Sequence, residues 1–221
     1  MSTHINRPIA FFDLDLTLLS INSATKWVKS EWRQGWISSA QLMRAAWLLT
    51  RYRWGSTSLE AALGDAIMTL KGQCESDLIA RVALFYEEEV RETLRPGARG
   101  AIESHREQGH LCYLMTSASS YLSELVVDQL GLDGALAQRF ETRDGVFTGA
   151  SQGPLCFGPG KLVHAQRLLS ESVITLQDCA FYTDSYSDAP LLEAVGAPHV
   201  VHPDVKLARY ARSRDWPILN W

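Results

Sequence analysis

The sequence lacks the features that would direct the protein to a membrane, to an oxidising compartment or to nucleic acid. Its four cysteines form no Cys-x-x-Cys pair and are far apart in the chain, which favours reduced and mostly buried thiols. No apolar run is long enough to span a bilayer, and residues 1–8 contain no apolar signal core. A formal net charge of −4 does not indicate a nucleic-acid partner. We therefore expect a cytoplasmic protein without a membrane span.

The chain does contain enough apolar sequence for one α/β domain with an insertion. It has 221 residues, of which 46% are hydrophobic. Residues 9–12 form an apolar run typical of a buried strand, and beyond residue 96 helical and extended patterns alternate. This alternation predicts a doubly wound parallel sheet with helices on both faces.

The region after the first strand has a different character. Residues 22–94 contain four helical patterns with short connections and no convincing strand, which predicts a small helical bundle. We therefore predict a core formed by residues 1–19 and 95–221, with an inserted helical domain formed by residues 20–94. An Asp-Gly pair at residues 144–145 predicts a hairpin, which we expect to approach the inserted helices.

Two carboxylates, Asp13 and Asp15, follow the first predicted strand. In open α/β sheets ligands bind outside the carboxyl ends of the strands, so chemistry is expected here. Because buried charge is costly without a partner, the pair predicts a divalent cation at this end of the sheet.

Three further polar clusters lie after predicted strands or at the start of predicted helices. They are Thr116 with Ser117, then Lys161, then Asp184 with Asp188. Each alone has an ordinary explanation as a helix cap, a solvated side chain or a turn. All of them are expected at the same end of the sheet as the acid pair, so together they predict one site.

In this order the four clusters resemble the motifs of the haloacid dehalogenase (HAD) superfamily of phosphohydrolases. The helical insertion directly after the first motif is similar to subfamily I, which contains the phosphoserine phosphatases. The motifs are Asp13-Leu14-Asp15-Leu16-Thr17, Ser117, Lys161 and Thr183-Asp184-Ser185-Tyr186-Ser187-Asp188. Pro96-Gly97 and residues 155–161 and 188–196 resemble the IB group of phosphoserine-phosphatase-like hydrolases. The resemblance implies a HAD-like Rossmannoid core with a helical cap of the C1 type.

The resemblance also implies an activity, Mg2+-dependent hydrolysis of a small-molecule phosphomonoester through an aspartyl-phosphate. Asp13 would be the nucleophile, and Asp15 would protonate the leaving alcohol and then deprotonate a water. Mg2+ would be held by Asp13, the backbone carbonyl of Asp15 and Asp184.

The remaining motif residues would support this chemistry. Ser117 and Lys161 would bind the phosphoryl oxygens, where Lys161 offsets the charge that builds on them. Asp188 would orient Lys161 or a metal-bound water, and Thr17 would brace the first loop.

Several positions depart from the phosphoserine phosphatase pattern. Asn22 stands where those enzymes carry a glutamate that recognises the serine ammonium group, Ala118 replaces a glycine, and Ser187 replaces a common asparagine. These changes leave the core chemistry intact, but they argue against phosphoserine as the substrate. Asn22 stays a candidate for substrate binding.

The inserted helices are rich in tryptophan and basic residues, and two interpretations remain open. One is an aromatic pocket for a quaternary-amine or amphipathic alcohol such as phosphocholine, because cations favour tryptophan faces. The other is that the tryptophans form the small core of the inserted domain, which their helical spacing favours. The candidates are Asn22, Lys26, Trp27, Trp47, Arg51, Arg53 and Trp54.

Two other functions are consistent with a reactive aspartate in an α/β fold. A phosphotransferase would use the same covalent intermediate and pass the phosphoryl group to an acceptor alcohol. A signalling receiver domain would keep the phosphorylated aspartate to change partner binding. Asp15 and the inserted domain both argue against the receiver.

Overall fold

A six-stranded parallel sheet forms the centre of the protein, with the strand order β3-β2-β1-β6-β7-β8. The computed structural model describes residues 5–53 and 59–221, without the side chains of residues 45, 48–53 and 59–62. The sheet strands are β1 (Ile9–Phe12), β2 (Leu111–Ser119), β3 (Gly134–Gln138), β6 (Ala180–Thr183), β7 (Ala197–Val201) and β8 (Ile218–Leu219). A separate antiparallel pair consists of β4 (Phe140–Arg143) and β5 (Val146–Ser151). The predicted parallel sheet and hairpin are therefore both confirmed.

Helices cover both faces of the sheet and form the insertion. The helices between β1 and β2 are α1 (Ser23–Arg33), α2 (Ser39–Arg53), α3 (Leu59–Met68), α4 (Glu75–Phe85) and α5 (Pro96–Glu107). The others are α6 (Ser120–Leu130), α7 (Pro159–Leu168), α8 (Ala189–Ala194) and α9 (Val205–Ser213). Alternate residues of β1 enter opposite cores, Phe12 on one face and Phe11 on the other. A strand buried on both faces explains its unbroken apolar sequence.

The inserted helices α1–α4 are attached to the core by two chain segments that pair with each other. Leu19 and Leu94 form an antiparallel bridge, and Arg95 N–H donates to the Leu18 carbonyl at 2.8 Å. The β4–β5 hairpin makes a second attachment, because Val146 bridges Cys74 at the start of α4. The hairpin therefore reaches the inserted helices, as its sequence position predicts.

Some boundaries differ from the sequence expectation. β2 continues past Thr116 to Ser119, with a register irregularity between Met115 and Ser119 against β3. A bulge of this kind redirects side chains near a site. α4 ends at Phe85, and the predicted helical region continues to Thr93 as a wider π turn followed by a tighter 3₁₀ turn.

Tryptophans of the insertion do not share one environment. Trp27 packs edge-on against Phe85, with ring centroids 5.2 Å apart, as the packing interpretation predicts. Trp47 is 56% exposed. Lys26 forms an ion pair with Glu89 at 3.4 Å. The predictions for Trp54 and for the side chains of Arg51 and Arg53 lie outside the described residues.

No helix in the described ranges combines the length and the apolar character needed to cross a bilayer.

Candidate active site

Asp13 and Asp15 lie on a tight turn that follows β1. The turn spans Leu14–Leu18 and is closed by two i to i+5 hydrogen bonds, from Leu18 N–H to the Asp13 carbonyl and from Leu19 N–H to the Leu14 carbonyl. Leu16 adopts a φ of +59°, a left-handed conformation that is costly for a branched side chain. Strained turns of this kind cluster at functional sites, and we call residues 13–19 the catalytic turn.

Lys161 joins Asp13 to Asp188. Its Nζ lies 2.7 Å from Asp13 Oδ1 and 2.7 Å from Asp188 Oδ2, and only 3% of the side chain is exposed. Although burial opposes the charge, the two carboxylates raise the pKa of Lys161 above its usual range. Thr183 Oγ1 also donates to Asp188 Oδ2 at 2.7 Å, which fixes that carboxylate. Lys161 is therefore held as a cation beside Asp13.

The start of α7 explains how Lys161 reaches this position. Gly158 has a φ of +50° and Pro159 begins the helix, so Lys161 occupies its first turn. A Cβ on Gly160 would lie 2.0 Å from the Leu155 carbonyl oxygen, so only glycine allows this approach. Both glycines of the Gly-Pro-Gly sequence before Lys161 thus have a local structural reason.

Asp184 follows β6 and lies near Asp13. Thr17 Oγ1 donates weakly to Asp184 Oδ1 at 3.5 Å. Burial, assisted by the Asp13 charge, raises the pKa of Asp184 to about 8. Burial also raises the pKa of Asp13 to about 7, against the lowering effect of Lys161. Two neighbouring carboxylates with raised pKa values indicate a site that needs additional positive charge.

Asp15 faces the start of α1. The Ser23 N–H donates to Asp15 Oδ1 at 2.8 Å. Burial raises the pKa of Asp15, and the hydrogen bond from Ser23 opposes that shift. A carboxyl group with a raised pKa is suited to holding and giving a proton. No local pattern in the sequence connects Ser23 to Asp15.

Ser117 and Asn22 have less direct connections to this cluster. Ser117 lies in β2, three residues beyond Leu114, which pairs with Phe12 directly before Asp13. It is half-buried at the same end of the sheet. Asn22 is exposed, and its side-chain oxygen accepts from Thr25 N–H at 2.9 Å as the cap of α1. The Thr25 hydroxyl also donates to this oxygen, at 2.8 Å, so both of its acceptor positions are used and the side-chain NH₂ of Asn22 remains for a substrate.

Gln138 is a buried polar residue near the site to which no pattern in the sequence pointed. It is 2% exposed at the end of β3, and its Oε1 accepts from Cys156 N–H at 3.2 Å. This bond ties the segment before α7 to the sheet. A buried glutamine cannot be distinguished from an exposed one in a short strand by composition alone.

The donor atoms of the site fit a divalent cation. Within the described ranges no three Asp, Glu, His or Cys side chains converge as a metal cluster. Mg2+ prefers few protein carboxylates with several waters, so two carboxylates and one carbonyl are sufficient. Lys161 balances at most one of the charges of Asp13, Asp184 and Asp188, and Asp188 Oδ1 is buried without a hydrogen-bond partner among the described residues.

Comparison with known proteins gives the family of this chain. The family model described as haloacid dehalogenase-like hydrolase matches residues 10–193. The chain belongs to the haloacid dehalogenase-like hydrolases. The matched range contains both the catalytic turn and Lys161, and the expectation of a HAD-type enzyme is confirmed.

Three relatives illustrate this membership. The chain is 28% identical over 216 residues to phosphoserine phosphatase SerB1 of Mycobacterium tuberculosis, covering 96% of this chain and 70% of that protein. It is 28% identical over 218 residues to histidinol-phosphatase of Neisseria meningitidis serogroup C, covering 96% and 98%. A crystal structure of a protein of unknown function from Bordetella pertussis Tohama I is 31% identical, with a TM-score of 0.88 and coverage of 97% and 99%. HAD relatives with phosphatase names thus align along nearly all of this chain.

Proposed function

We propose that this HAD hydrolase is a Mg2+-dependent phosphatase that cleaves a small organic phosphomonoester with Asp13 as the nucleophile. The observation that carries the proposal is the position of Lys161 Nζ, 2.7 Å from both Asp13 and Asp188 at the end of β1. This arrangement supplies a carboxylate nucleophile beside a fixed positive charge. Such a pair is suited to a phosphoryl group, whose negative charge would otherwise repel the carboxylate.

The reaction would proceed in two displacements. An Asp13 oxygen forms a bond to phosphorus as the bond to the ester oxygen breaks, and Asp15 gives its proton to the departing alkoxide. Asp15 then takes a proton from water, whose oxygen displaces Asp13 and releases inorganic phosphate. Ser117 and Lys161 would hold phosphoryl oxygens in both steps. Ser23 N–H, 2.8 Å from Asp15 Oδ1, keeps that carboxyl oriented.

Asp13, Asp184 and the backbone carbonyl of Asp15 would hold the Mg2+ ion. When bound, Mg2+ supplies positive charge that screens the phosphate from the Asp13 carboxylate. Asp188, which contacts Lys161 and Thr183, would orient the Lys161 ammonium. Thr17, which is fully buried, would brace the turn next to Asp184.

The inserted helices α1–α4 would act as the cap over this site, with residues 20–94 as the cap and the rest of the chain as the core. Named relatives act on phosphoserine and on histidinol phosphate. Asn22 carries no charge, so we propose a substrate other than phosphoserine, as a neutral side chain is a poor partner for an ammonium group. A cytoplasmic location stays a prediction.

Removal of the metal is expected to abolish hydrolysis. The site has buried carboxylates in excess of its cation, so the phosphate would meet uncompensated negative charge without Mg2+. Phosphate release from p-nitrophenyl phosphate, phosphocholine, histidinol phosphate, lysophosphatidate and phosphoserine would be measured with Mg2+, after EDTA, and after Mg2+ is restored. Equal rates in the first two conditions would contradict a metal-dependent mechanism.

Asp15→Asn is expected to separate the two displacements. p-Nitrophenolate leaves without protonation, so the first displacement still occurs, but the water is no longer deprotonated. Rapid mixing should show a burst of about one p-nitrophenolate per enzyme, followed by turnover at least ~100-fold slower than wild type. A variant that turns over at the wild-type steady rate would remove Asp15 from this role.

Two further measurements on the wild type test the alternative functions. A phosphotransferase would form a new phosphate ester when the wild type is supplied with acceptor alcohols. A receiver domain would remain phosphorylated on Asp13 for hours in the wild type, with no second turnover.

A further inference from the structure

Trp221 contacts four separate segments of the chain near the catalytic turn. Its indole Nε1–H donates to the Thr17 carbonyl at 3.2 Å. Its ring stacks on Tyr182 of β6, with centroids 5.5 Å apart and an interplanar angle of 16°. Its backbone oxygen accepts from His202 Nε2 at 2.7 Å and from Arg95 Nη1 at 3.3 Å. Trp221 is therefore fixed at its ring, at its indole nitrogen and at its backbone.

The hydrogen bond from Trp221 to the Thr17 carbonyl lies next to the strained residue of the turn, Leu16. Leu16 is held at a φ of +59°, so the turn stores strain directly before Thr17. Thr17 then presents its hydroxyl to Asp184, across 167 positions of sequence. A partner that fixes the Thr17 carbonyl also fixes the peptide that orients this hydroxyl.

Arg95 extends the same contact to the base of the inserted helices. Its Nε donates to the Leu19 carbonyl at 3.3 Å, while its backbone N–H donates to the Leu18 carbonyl. Both carbonyls belong to the end of the catalytic turn. Trp221 thus supports the turn from Thr17 directly, and from Leu18 and Leu19 through Arg95.

Gly97 makes room for this arrangement. A Cβ placed on Gly97 would lie 2.0 Å from Trp221 Cβ and 3.2 Å from Trp221 Cα, so any side chain there must displace Trp221. Gly100 lies on the same helix, α5, and a Cβ there would meet nothing within 4 Å. The two glycines are a matched pair for testing the contact.

We propose that Trp221 is a positioning residue, which holds the catalytic turn so that Thr17 and Asp184 stay in the geometry that binds the metal. This role rests on the proposed phosphatase function. It adds a residue far in sequence from every motif, and it makes Gly97 a requirement for activity through Trp221 rather than through the helix.

Trp221→Phe is the sharpest test, because it removes the N–H donor to Thr17 while an aromatic ring, although smaller, stays on Tyr182. The kcat for p-nitrophenyl phosphate should fall about fivefold, and the Mg2+ concentration for half-maximal rate should rise by a similar factor. KM for the ester should change less than about twofold, because the contact is not to substrate. Trp221→Ala and Gly97→Ala should share this pattern with larger losses, whereas Gly100→Ala should match wild type.

Hydrogen exchange of the metal-free proteins gives a readout that does not depend on activity. The Leu18 and Leu19 amides, which close the turn, should exchange faster in Trp221→Phe and Gly97→Ala than in wild type or Gly100→Ala. Wild-type kcat, Mg2+ dependence and exchange in Trp221→Phe would overturn the proposal. So would a fall in Tm alone in all of the Trp221 and Gly97 variants. If wild type hydrolysed no phosphomonoester, the proposed function would fail, and the exchange data would still decide whether Trp221 holds the turn.

Discussion

Asp13→Asn is expected to lower hydrolysis of p-nitrophenyl phosphate by at least ~10⁴-fold, the scale seen when an enzyme loses its nucleophile. The neutral amide cannot form the acyl phosphate in place of the carboxylate. Its oxygen can still accept from Lys161 Nζ, which lies 2.7 Å from Asp13 Oδ1. Removing the charge also relieves repulsion from Asp184, so the fold should be retained. Initial rates and thermal unfolding would be measured on the same preparation.

A matched control for this substitution is Asp144→Asn. Asp144 lies exposed in the β4–β5 hairpin at a φ of +52°, a conformation that asparagine also tolerates. The Asp144→Asn variant should keep wild-type activity. Substantial hydrolysis by Asp13→Asn, confirmed to lack deamidation by mass spectrometry, would remove Asp13 from the role of nucleophile.

Lys161→Met is expected to destabilise the metal-free protein as well as to inactivate it. Asp13 and Asp188 are both buried and both 2.7 Å from Lys161 Nζ, so removal of the ammonium leaves two carboxylates without their cation. Breaking a buried ion pair from one side costs about 3–5 kcal/mol, and loss of a charge on the phosphoryl oxygens costs at least about 10²-fold in rate. Urea unfolding gives the first quantity, and kcat with saturating Mg2+ gives the second.

The loss of stability should be larger at pH 8 than at pH 5. Asp13 has a folded pKa of about 7, above its ordinary value of 3.8, and Lys161 lowers rather than raises that folded value. Without Lys161 the folded pKa rises further, so the folded state binds more protons than the unfolded state. The Lys161→Met protein therefore loses stability as the pH rises from the ordinary Asp pKa of 3.8 to the raised folded pKa of Asp13. An equal loss at both pH values would contradict this electrostatic origin.

A second variant separates the stability effect from the rate effect. Lys161→Met combined with Asp188→Asn removes one of the two unpaired charges, so part of the unfolding free energy should return while activity stays low. Lys71→Met changes an exposed lysine in the same way and should leave both quantities unchanged. If Lys161→Met were as stable as wild type at pH 8, the ion pairs of Lys161 would not contribute to the stability of the fold.

A large part of the fold could be predicted from the sequence. The apolar run at Ile9–Phe12 required a strand buried on both faces, because such a run has no polar face to offer water. The Asp-Gly pair at residues 144–145 gave the hairpin turn, and Pro96 and Gly131 lie at the ends of α5 and α6. The end of β2 could not be predicted from the sequence, because the strand continues through a bulge that depends on pairing with β3.

By itself the sequence determined the chemical inventory of the site: acid pairs, a lysine and a serine at the expected strand ends and helix starts. These follow from local pattern, which is set by neighbouring residues. Only the tertiary structure decided which groups touch: Lys161 with Asp13 at a separation of 148 residues, and Trp221 with Thr17 at a separation of 204. The Asp15 contact with Ser23 spans only 8 residues, yet it also required the turn to fold back on α1. Contacts of this kind arise from chain packing between elements, and no periodicity in the sequence encodes them.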